Sequence, residues 1–415
     1  MDVEASWATR RVMMQRDVAI VGVGLHPWGR FPQKSIPEMA VEAMVGALKD
    51  AKMRWHDIES MVSATYMWVT HYGGVHGTLS GTSTASLMGS RGIPIVNVVN
   101  ACATGGSALR EAYLTVASGV HDVVMAVASD KSAIGFFSPL SKDPQDIDYL
   151  RFVMVGQTNP AYWAIECRRR MHDNGTTDED LALVKAVASR ASVYNRNARY
   201  RKVFTKEEVL ASPMVCDPLR LLEICATSDG AAAVILAPLD KATKYTDKPA
   251  VIDAAAVATD TFGDPTIRLT FLSSFPRPNV PRLSESRNAL AAAYKQAGRD
   301  PDDIDVIELP DNSSWHYLAY LEGILGLEPG EAEEMLRKGE TDPIKGKVPV
   351  CPSGGLGAFG EAVVAQGLAQ VCELVWQLRG EAGDRQVRKD HLKVALAQTY
   401  GYAGNNAACI VSRAW

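Results

Sequence analysis

The sequence has no paired-cysteine pattern, no long apolar run and no dominant sign of charge. Its seven cysteines, at positions 102, 167, 216, 225, 351, 372 and 409, are odd in number and form no CxxC pair. This argues against a disulfide framework or a zinc ribbon and is typical of a reducing compartment. No apolar run reaches the ~18 residues that a membrane span needs, and the first residues lack the apolar core of a secretory signal. We therefore expect a cytoplasmic protein that neither crosses a membrane nor carries its own metal site.

The charge balance excludes further classes of protein. The chain has 43 Lys and Arg against 48 Asp and Glu, a net charge of −5, so it lacks the basic footprint of a nucleic-acid binder. Hydrophobic residues make up 47% and charged residues 22% of the chain, which is ordinary for a folded protein and excludes disorder. A length of 415 residues predicts two to three structural units.

Strand-like and helix-like segments alternate along the chain, which predicts parallel strands with helices packed on the sheet. Short apolar runs such as Asp17–Gly24 and Asp122–Ala128 indicate buried strands. Residues 131–212 are richer in Arg, Asn and Tyr and predict an inserted, mostly helical subdomain. A second alternation follows, from Pro249 to the C-terminus. The two halves show the same order of elements without an exact repeat, which indicates a duplicated α/β unit.

The segment from Asn97 to Leu109 carries the clearest chemical signal. Cys102 lies between a buried strand and a helix, in the run Asn-Ala-Cys-Ala-Thr-Gly-Gly, and the helical pattern covers Ala108–Ala117. At a helix N-terminus the positive end of the dipole favours the thiolate, which is the nucleophilic form. The free backbone N–H groups there can stabilise an oxyanion. A lone cysteine is more often an inert core residue, but this context favours a nucleophile.

This segment resembles the nucleophile motif of thiolases, specifically of the sterol-carrier-protein-2 thiolase branch. Further resemblances follow in the expected order: Met171–Thr177, Asp217–Leu222, Thr227–Ala233 and the glycine-rich Ser353–Gly360. The resemblance implies two βαβαβαββ halves in a five-layered α/β/α/β/α core with an inserted loop domain. The implied units are 15–130 with 213–240, the loop domain 131–212 that binds CoA, and 248–415.

The chain departs from this family where the partners of the nucleophile are expected. Pro310 takes the place of a histidine in the family's H-D-x-F motif, and Asn312 stands where a catalytic cysteine can occur. Glu361 follows Gly360, where the family has a histidine. The turn Gln398–Gly404, where some thiolases place a second cysteine, contains none. The resemblance therefore implies that the nucleophile is present and that other residues handle the proton.

Glu361 and Asn312 are the candidate catalytic partners of Cys102, and each also has a purely structural interpretation. A desolvated Glu361 carboxyl beside Cys102 would have a raised pKa and exchange protons with Cys102 or with the CoA thiol. Alternatively, Glu361 satisfies the N–H groups at a helix start. The Asn312 amide would donate to an enolate or thioester oxygen, or it simply caps the following helix.

A basic cluster in the insertion suits the phosphates of CoA, since guanidinium groups bind phosphate by paired hydrogen bonds. A solvated helix face is the alternative. The other residues weighed are Tyr400 and Tyr402 as proton donors or packing aromatics, Cys351 as a second thiol or, by preference, a core cysteine, and His316 as a surface or core histidine. His71 and His76 are given no role. The candidate CoA-binding residues are Arg196, Arg199, Arg201, Lys202, Ser353, Gly354 and Gly355.

The resemblance implies a thiolase that cleaves a branched or aromatic 3-oxoacyl-CoA with CoA through an acyl-enzyme on Cys102. A substrate of the benzoylsuccinyl-CoA type is one such case. CoA is a co-substrate, and no tightly bound cofactor is expected. A homodimer is implied, together with a separate small OB-fold subunit carrying a zinc ribbon. Two alternatives stay open: a retro-aldol lyase acting on a β-hydroxyacyl-CoA, and a non-catalytic acyl-CoA-binding subunit.

Overall fold

The computed structural model describes residues 16–64, 79–132, 145, 158–259, 284–401 and 404–415. Within these ranges no helix is long and apolar enough to cross a membrane. The strands are β1 Val18–Gly29, β2 Ser60–Ala64, β3 Ile95–Val98, β4 Val124–Asp130, β5 Met214–Cys216, β6 Leu219–Arg220, β7 Asp229–Pro238, β8 Ala250–Ala258, β9 Val306–Glu308, β10 Val394–Tyr400 and β11 Asn406–Arg413.

The helices alternate with these strands, as the sequence predicts. They are α1 Ile36–Asp50, α2 Ser80–Met88, α3 Thr104–Ala117, α4 Asn159–Asn174, α5 Asp178–Ser192, α6 Lys206–Leu210, α7 Leu239–Ala242, α8 Ser284–Ala297, α9 Ser314–Leu325, α10 Glu331–Arg337, α11 Gly355–Ala358 and α12 Gln366–Arg379. Helices α4, α5 and α6 lie in the stretch predicted as a helical insertion. The exact domain boundaries remain a prediction.

The strand order confirms the duplicated unit. Nine of the eleven described strands form one sheet in the order β3-β2-β4-β7-β1-β8-β11-β10-β9, whose two halves join where β1 pairs with β8, and β5 and β6 form a separate two-stranded sheet. In the first half β2 and β4 are parallel, and β4, β7 and β1 then pair antiparallel. In the second half β9 and β10 are parallel, and β10, β11 and β8 pair antiparallel. Val350 bridges Ile307 in parallel, at the place that β3 holds in the first half.

The layers are also those expected of the thiolase fold. Helix α1 covers one face of β1 and β7, while α8 covers the outer face of β8 and β11. Helices α3 and α12 pack against each other and reach strands of both halves. Nearly every residue of α12 is buried, as expected of a helix enclosed between two sheet layers. The order is therefore helix, sheet, helix, sheet, helix.

Glycines set the distance between α3 and α12. A Cβ at Gly105 would lie 2.6 Å from the carbonyl oxygen of Val364 and 3.2 Å from the nitrogen of Leu368. A Cβ at Gly367 would lie 2.7 Å from the nitrogen of Gly106. The two backbones therefore meet without intervening side chains. The sequence predicted that α3 begins at Ala108, yet it begins at Thr104, because this packing outweighs the low helix propensity of glycine.

Replacing Gly105 by alanine tests this contact. Alanine is intrinsically better in a helix than glycine by ~1 kcal/mol, so propensity alone predicts a gain in stability. We expect instead a loss of about 1–3 kcal/mol, because the added methyl group meets backbone that must move. Urea unfolding measures the change, with Leu114→Ala on the exposed side of α3 as control. A Gly105→Ala protein as stable as the parent would contradict the close packing.

Candidate active site

Cys102 lies at the junction between β3 and α3, as the sequence predicts. Ala101 before it has φ of 47°, a left-handed conformation that costs a residue with a Cβ about 1–2 kcal/mol. Ala103 is the N-cap of α3, and the Cys102 side chain is partly exposed. The carbonyl oxygen of Cys102 accepts a hydrogen bond from Gln366 Nε2 at 3.0 Å. The first residue of α12 therefore holds the backbone at Cys102.

The turn after β10 lies directly on the backbone of Cys102. A Cβ at Gly401 would be 3.1 Å from the nitrogen of Cys102 and 2.9 Å from that of Ala103. Only a glycine allows this approach. Tyr400 ends β10, and its ring packs on Tyr320 with the centroids 5.8 Å apart. This contact matches the alternative in which Tyr400 is a packing aromatic. Tyr402, His71 and His76 lie outside the described residues.

Asn312 and Glu361 form a buried pair. Asn312 Nδ2 donates to Glu361 Oε1 at 2.8 Å, and the two side chains are 5% and 2% exposed. Burial raises the pKa of Glu361 to about 7, although the hydrogen bonds from Cys225 and Asn312 act in the opposite direction. A carboxyl with this pKa can both accept and release a proton near neutral pH.

The structural alternatives for these two residues do not match the observed geometry. Ser313, not Asn312, is the N-cap of α9, and the Asn312 amide donates to Glu361 instead. Helix α12 begins at Gln366, so the expectation that Glu361 opens a helix is wrong. The chain at Glu361 is instead held by a bridge to Thr227, which delays the helix by several residues.

One extended segment, Cys225 to Ser228, ties the loops of the site together. It leads into β7 and makes backbone hydrogen bonds of 2.8–3.0 Å to the loop after β9, to α11 and to the turn after α11. These bonds bring Asn312 and Glu361 face to face, although 49 residues separate them. The four bonds run from Cys225 N–H to the Asn312 carbonyl, from Ala226 N–H to that of Leu356, from Glu361 N–H to that of Ala226, and from Ser228 N–H to that of Glu361.

Cys225 is a site residue that the sequence analysis missed. Its thiol is buried and interacts with the Glu361 carboxylate. Burial and the charge of Glu361 raise the pKa of Cys225 well above its usual value, and Cys102 is close enough to contribute to this shift. Its place two residues before the Thr227–Ala233 motif was the available signal. The Asn312 amide and the Cys225 thiol thus both contact the Glu361 carboxyl.

The basic residues predicted to bind CoA lie beside this site, and their side chains differ in solvent exposure. Arg196, Arg201 and Lys202 are exposed, and Lys202 pairs with Glu208 at 2.7 Å. Arg199 is half-buried; its guanidinium donates to the carbonyl of Thr227, next to the segment that holds Glu361. Its backbone N–H donates to the carbonyl of Phe359 at 2.9 Å. Contact of these residues with CoA remains a prediction.

The glycine-rich turn is built into the protein interior. Ser353 donates through its N–H and its hydroxyl to Glu308, at 2.8 and 2.9 Å. A Cβ at Gly354 would lie 2.5 Å from Ser192 Cβ, and one at Gly355 would collide with the Asp311 carboxylate. These contacts explain the Ser-Gly-Gly sequence by packing. A CoA contact at Ser353, Gly354 or Gly355 stays a prediction.

Cys351, expected in the core, and His316, for which surface and core were both open, are buried. Cys351 is fully buried with its Sγ 3.7 Å from the carbonyl oxygen of Leu309. His316 stacks on Trp315 with the ring centroids 4.0 Å apart, and its Nδ1 lies 2.8 Å from Ser313 Oγ. Among the described residues, no group of His, Cys, Asp and Glu could hold a metal ion.

Comparisons with known proteins agree with this geometry. Residues 273–413 match the family described as thiolase C-terminal domain-like. Acetyl-CoA acetyltransferase of Methanothermobacter thermautotrophicus is 36% identical over 95% of this chain and 98% of its own length. Sterol carrier protein 2 of Homo sapiens is 34% identical over 94% of this chain and 70% of its own length. Benzoylsuccinyl-CoA thiolase subunit BbsB of Thauera aromatica is 29% identical over 90% of this chain and 92% of that subunit.

Solved structures show the same fold. The Ltp2-ChsH2(DUF35) aldolase superposes with a TM-score of 0.79 at 22% identity, covering 96% of this chain and 98% of that one. Human mitochondrial 3-ketoacyl-CoA thiolase in complex with CoA superposes with a TM-score of 0.68 at 17% identity, covering 97% and 99%.

Fold and sequence together define a class of enzyme, the CoA-dependent acyltransferases of the thiolase type. The chain belongs to the thiolase family, in the branch of the sterol-carrier-protein-2 thiolases. The resemblance given by its motifs is thereby confirmed. CoA is the co-substrate of this class.

The raised pKa of Glu361 predicts a pH dependence of stability. The folded protein keeps the Glu361 proton up to a pKa of about 7, whereas the unfolded chain releases it near 4.5. Folding therefore binds more protons between these values, and stability falls as the pH rises from 4.5 to 7, by about 3 kcal/mol at most for this group.

We expect Glu361→Gln to lose less stability than the parent between pH 5 and pH 8. Glutamine keeps the shape and does not ionise, and the Asn312 amide can turn to present its oxygen, Oδ1, which has no hydrogen-bond partner among the described residues. Urea unfolding at the two pH values measures the difference. Glu334→Gln, at a largely exposed position, is the matched control. Equal pH slopes in parent and variant would contradict a raised Glu361 pKa.

Proposed function

We propose that the protein cleaves a 3-oxoacyl-CoA with CoA, that Cys102 carries the acyl group, and that Glu361 carries the proton. The observation behind the proposal is the buried Glu361 carboxyl, which has a pKa of about 7 and accepts from Asn312 at 2.8 Å. The chain has no histidine at this position. A carboxyl that titrates near neutrality supplies the acid–base group that acyl transfer through a thiol needs.

In the first half-reaction Glu361 accepts the proton of the Cys102 thiol. The thiolate adds to the 3-oxo carbon, and N–H groups at the start of α3 are placed to stabilise the negative oxygen. The Cα–Cβ bond then breaks, leaving the acyl group as a thioester on Cys102. The departing enolate of the shortened acyl-CoA takes the proton back from Glu361.

In the second half-reaction CoA enters and Glu361 accepts the proton of its thiol. The CoA thiolate attacks the thioester carbon, a new acyl-CoA leaves, and Cys102 departs as thiolate. Glu361 returns the proton to Cys102, so atoms and charge balance over the cycle. Asn312 holds the carboxyl in place through its amide and offers its second N–H to a thioester or enolate oxygen.

For the acyl group we propose a branched or aromatic 3-oxoacyl chain. Support comes from the similarity to a benzoylsuccinyl-CoA thiolase subunit and from a site that differs from the family's usual histidine pattern. A retro-aldol lyase is the second candidate, because the protein shares its fold with an aldolase. Cys102 and the Glu361 pair favour the thiolase, since retro-aldol cleavage needs no nucleophilic thiol. A non-catalytic binding subunit is the third candidate.

We propose two partners, a second copy of the chain and a separate small subunit, and one observation supports each. Among the described strands, β3 lies at an edge of the sheet, where Val96 and the adjacent Val99 are 49% and 58% exposed, as is Leu87 of α2. An apolar sheet edge of this kind favours pairing with a second copy. The names of two similar proteins refer to a subunit and to a DUF35 component, in line with a separate OB-fold and zinc-ribbon subunit. We place the assembly in the cytoplasm.

The covalent intermediate is tested by intact-protein mass. The chain, with any co-purifying partner, is mixed with a panel of 3-oxoacyl-CoA thioesters, and Cys102→Ala is the control. We expect an acyl adduct that requires Cys102 and disappears when CoA is added, and its mass identifies the acyl group. Cleavage of a β-hydroxyacyl-CoA that survives in Cys102→Ala, with no adduct on any thioester, would establish the lyase instead.

The edge pairing is tested by light scattering. We expect the parent to have the mass of at least two chains, and Val96→Lys with Val99→Lys to have the mass of one, because two charges per edge oppose strand pairing. A lysine at exposed Val120, outside this edge, is the matched control. A variant that remains dimeric would show that the copies associate elsewhere.

A further inference from the structure

Lys185 of α5 is a buried cation that the proposed reaction does not use. Only 3% of the residue is exposed, and its Nζ donates to the carbonyl oxygen of Gly357 in α11. Burial lowers the pKa of Lys185 to about 8, and Asp311 opposes this shift. A buried ammonium costs free energy unless charges and acceptors compensate it, so its place beside the glycine-rich turn requires an explanation.

Asp311 holds the other side of the same turn. Its carboxylate accepts from the N–H groups of Leu356 at 2.6 Å and Gly357 at 3.2 Å. A Cβ at Gly357 would lie 3.5 Å from Asp311 Oδ2 and 3.9 Å from Lys185 Nζ. The Asp311 carboxylate thus accepts from the N–H groups of this short turn, and the Lys185 ammonium donates to a carbonyl oxygen of the same turn.

This turn sets the positions of both Asn312 and Glu361. Asn312 follows Asp311 directly, and Glu361 lies four residues beyond Gly357. The carbonyl of Leu356, in the same turn, accepts from Ala226, whose own carbonyl accepts from Glu361. A movement of the turn would therefore separate the Asn312 amide from the Glu361 carboxyl.

Lys185 also contacts the predicted CoA-binding loop. Its Nζ lies 5.0 Å from the ring centroid of Tyr200 and 4.9 Å from that of Phe204, within the range of cation–π attraction. Tyr200 follows Arg199 and precedes Arg201 and Lys202 in the basic cluster. The same ammonium group thus joins the basic loop to the turn that orients Glu361.

We propose that Lys185 and Asp311 form a charged clamp that positions Glu361 for proton transfer and links its position to the basic loop at Arg199–Lys202. The inference rests on the proposed role of Glu361. Both are positioning residues, since neither is placed against a reacting atom.

The clamp also influences the charge of Glu361. Burial raises the pKa of Asp311 to about 7, and ionised Asp311 raises that of Glu361. The other ionisable groups facing Glu361 are Asp130 and Cys225. Those that interact with Asp311 or Lys185 are Glu308, Tyr317, Cys351, Cys225 and Arg199.

Removing the charge of Asp311 therefore lowers the pKa of Glu361. Loss of Lys185 acts in the same direction, because it leaves Asp311 protonated at neutral pH. The acid limb of the rate profile, which follows ionisation of Glu361 as the base, should move to lower pH in both variants.

The experiment measures kcat against pH for Asp311→Asn and Lys185→Met in the full chain, with any partner that co-purifies. The amide introduced by Asp311→Asn keeps an oxygen for the Leu356 N–H, so this variant is expected to fold. We expect an acid limb at lower pH in both variants and a fall in kcat of about tenfold, because a misplaced base slows proton transfer. Lys338→Met, at a largely exposed position just after α10, should match the parent.

A double variant tests the pairing itself. Removing both charges leaves no uncompensated buried ion, so Lys185→Met with Asp311→Asn should unfold at a higher urea concentration than Asp311→Asn alone, in which the buried Lys185 ammonium has lost its anion. An acid limb of Asp311→Asn that coincides with the parent's would overturn the proposal. The proposal would also be overturned if the single variants lost activity equally at every pH and the double variant recovered no stability. Lys185 would then be a packing residue only.

Glu361→Gln distinguishes this inference from the proposed function. If Glu361→Gln keeps the parent's kcat, Glu361 is not the proton carrier and the function proposal fails at that residue. If Glu361→Gln is impaired while both clamp variants behave like the parent, the clamp alone is wrong.

Discussion

The candidate site depends on the backbone hydrogen bonds of the segment from Cys225 to Ser228. An extended segment offers N–H and carbonyl groups on both sides, and burial requires that they be paired. Here the partners are the loop after β9, the short helix α11 and the turn that follows it. Because the segment continues into the fully buried strand β7, the position of the site is fixed to the centre of the first half. Glu361, which belongs to the second half of the fold, is therefore held by a segment of the first half.

Three buried carboxyl groups lie near this segment, and burial disfavours the charged form of each. Burial raises the pKa values of Asp130, Asp311 and Glu361 to about 7 each, and the charges of Asp130 and Asp311 contribute to the shift of Glu361. Such groups titrate as a set, so ionisation of one opposes that of the next. Backbone N–H groups and Lys185 stabilise the charge of Asp311, and backbone N–H groups do so at Asp130. Glu361 is contacted by an amide and a thiol instead, and in the proposed reaction its proton is the one that is transferred.

Much of this arrangement follows from the sequence, and the remainder has an identifiable physical origin. Apolar runs and their alternation predicted the strands and the duplicated halves, and the position of Cys102 between strand and helix was predicted from local pattern. Cys225 and Lys185 were not predicted, because their roles arise from neighbours more than 100 residues away in the chain (Glu361 and Gly357). The start of α3 was misplaced for a related reason: close contact with α12 makes Gly105 and Gly106 favourable in a helix, whereas propensity alone disfavours them.

A buried glutamate is a chemically distinct substitute for a histidine at the same position. An ordinary imidazole ionises near pH 6.5, and burial brings Glu361 to about 7, so the two have similar proton affinity. Their charges differ, however. A histidine that has accepted a thiol proton becomes a cation and pairs with the thiolate, whereas the protonated carboxyl is neutral and cannot. In the proposed reaction, stabilising the charge on the Cys102 sulfur would then fall to the N-terminus of α3 and the backbone around Gly401. The close approach of Gly401, the left-handed Ala101 and the Gln366 contact all act on that stretch of backbone, which is where a site without an imidazolium most needs rigid geometry.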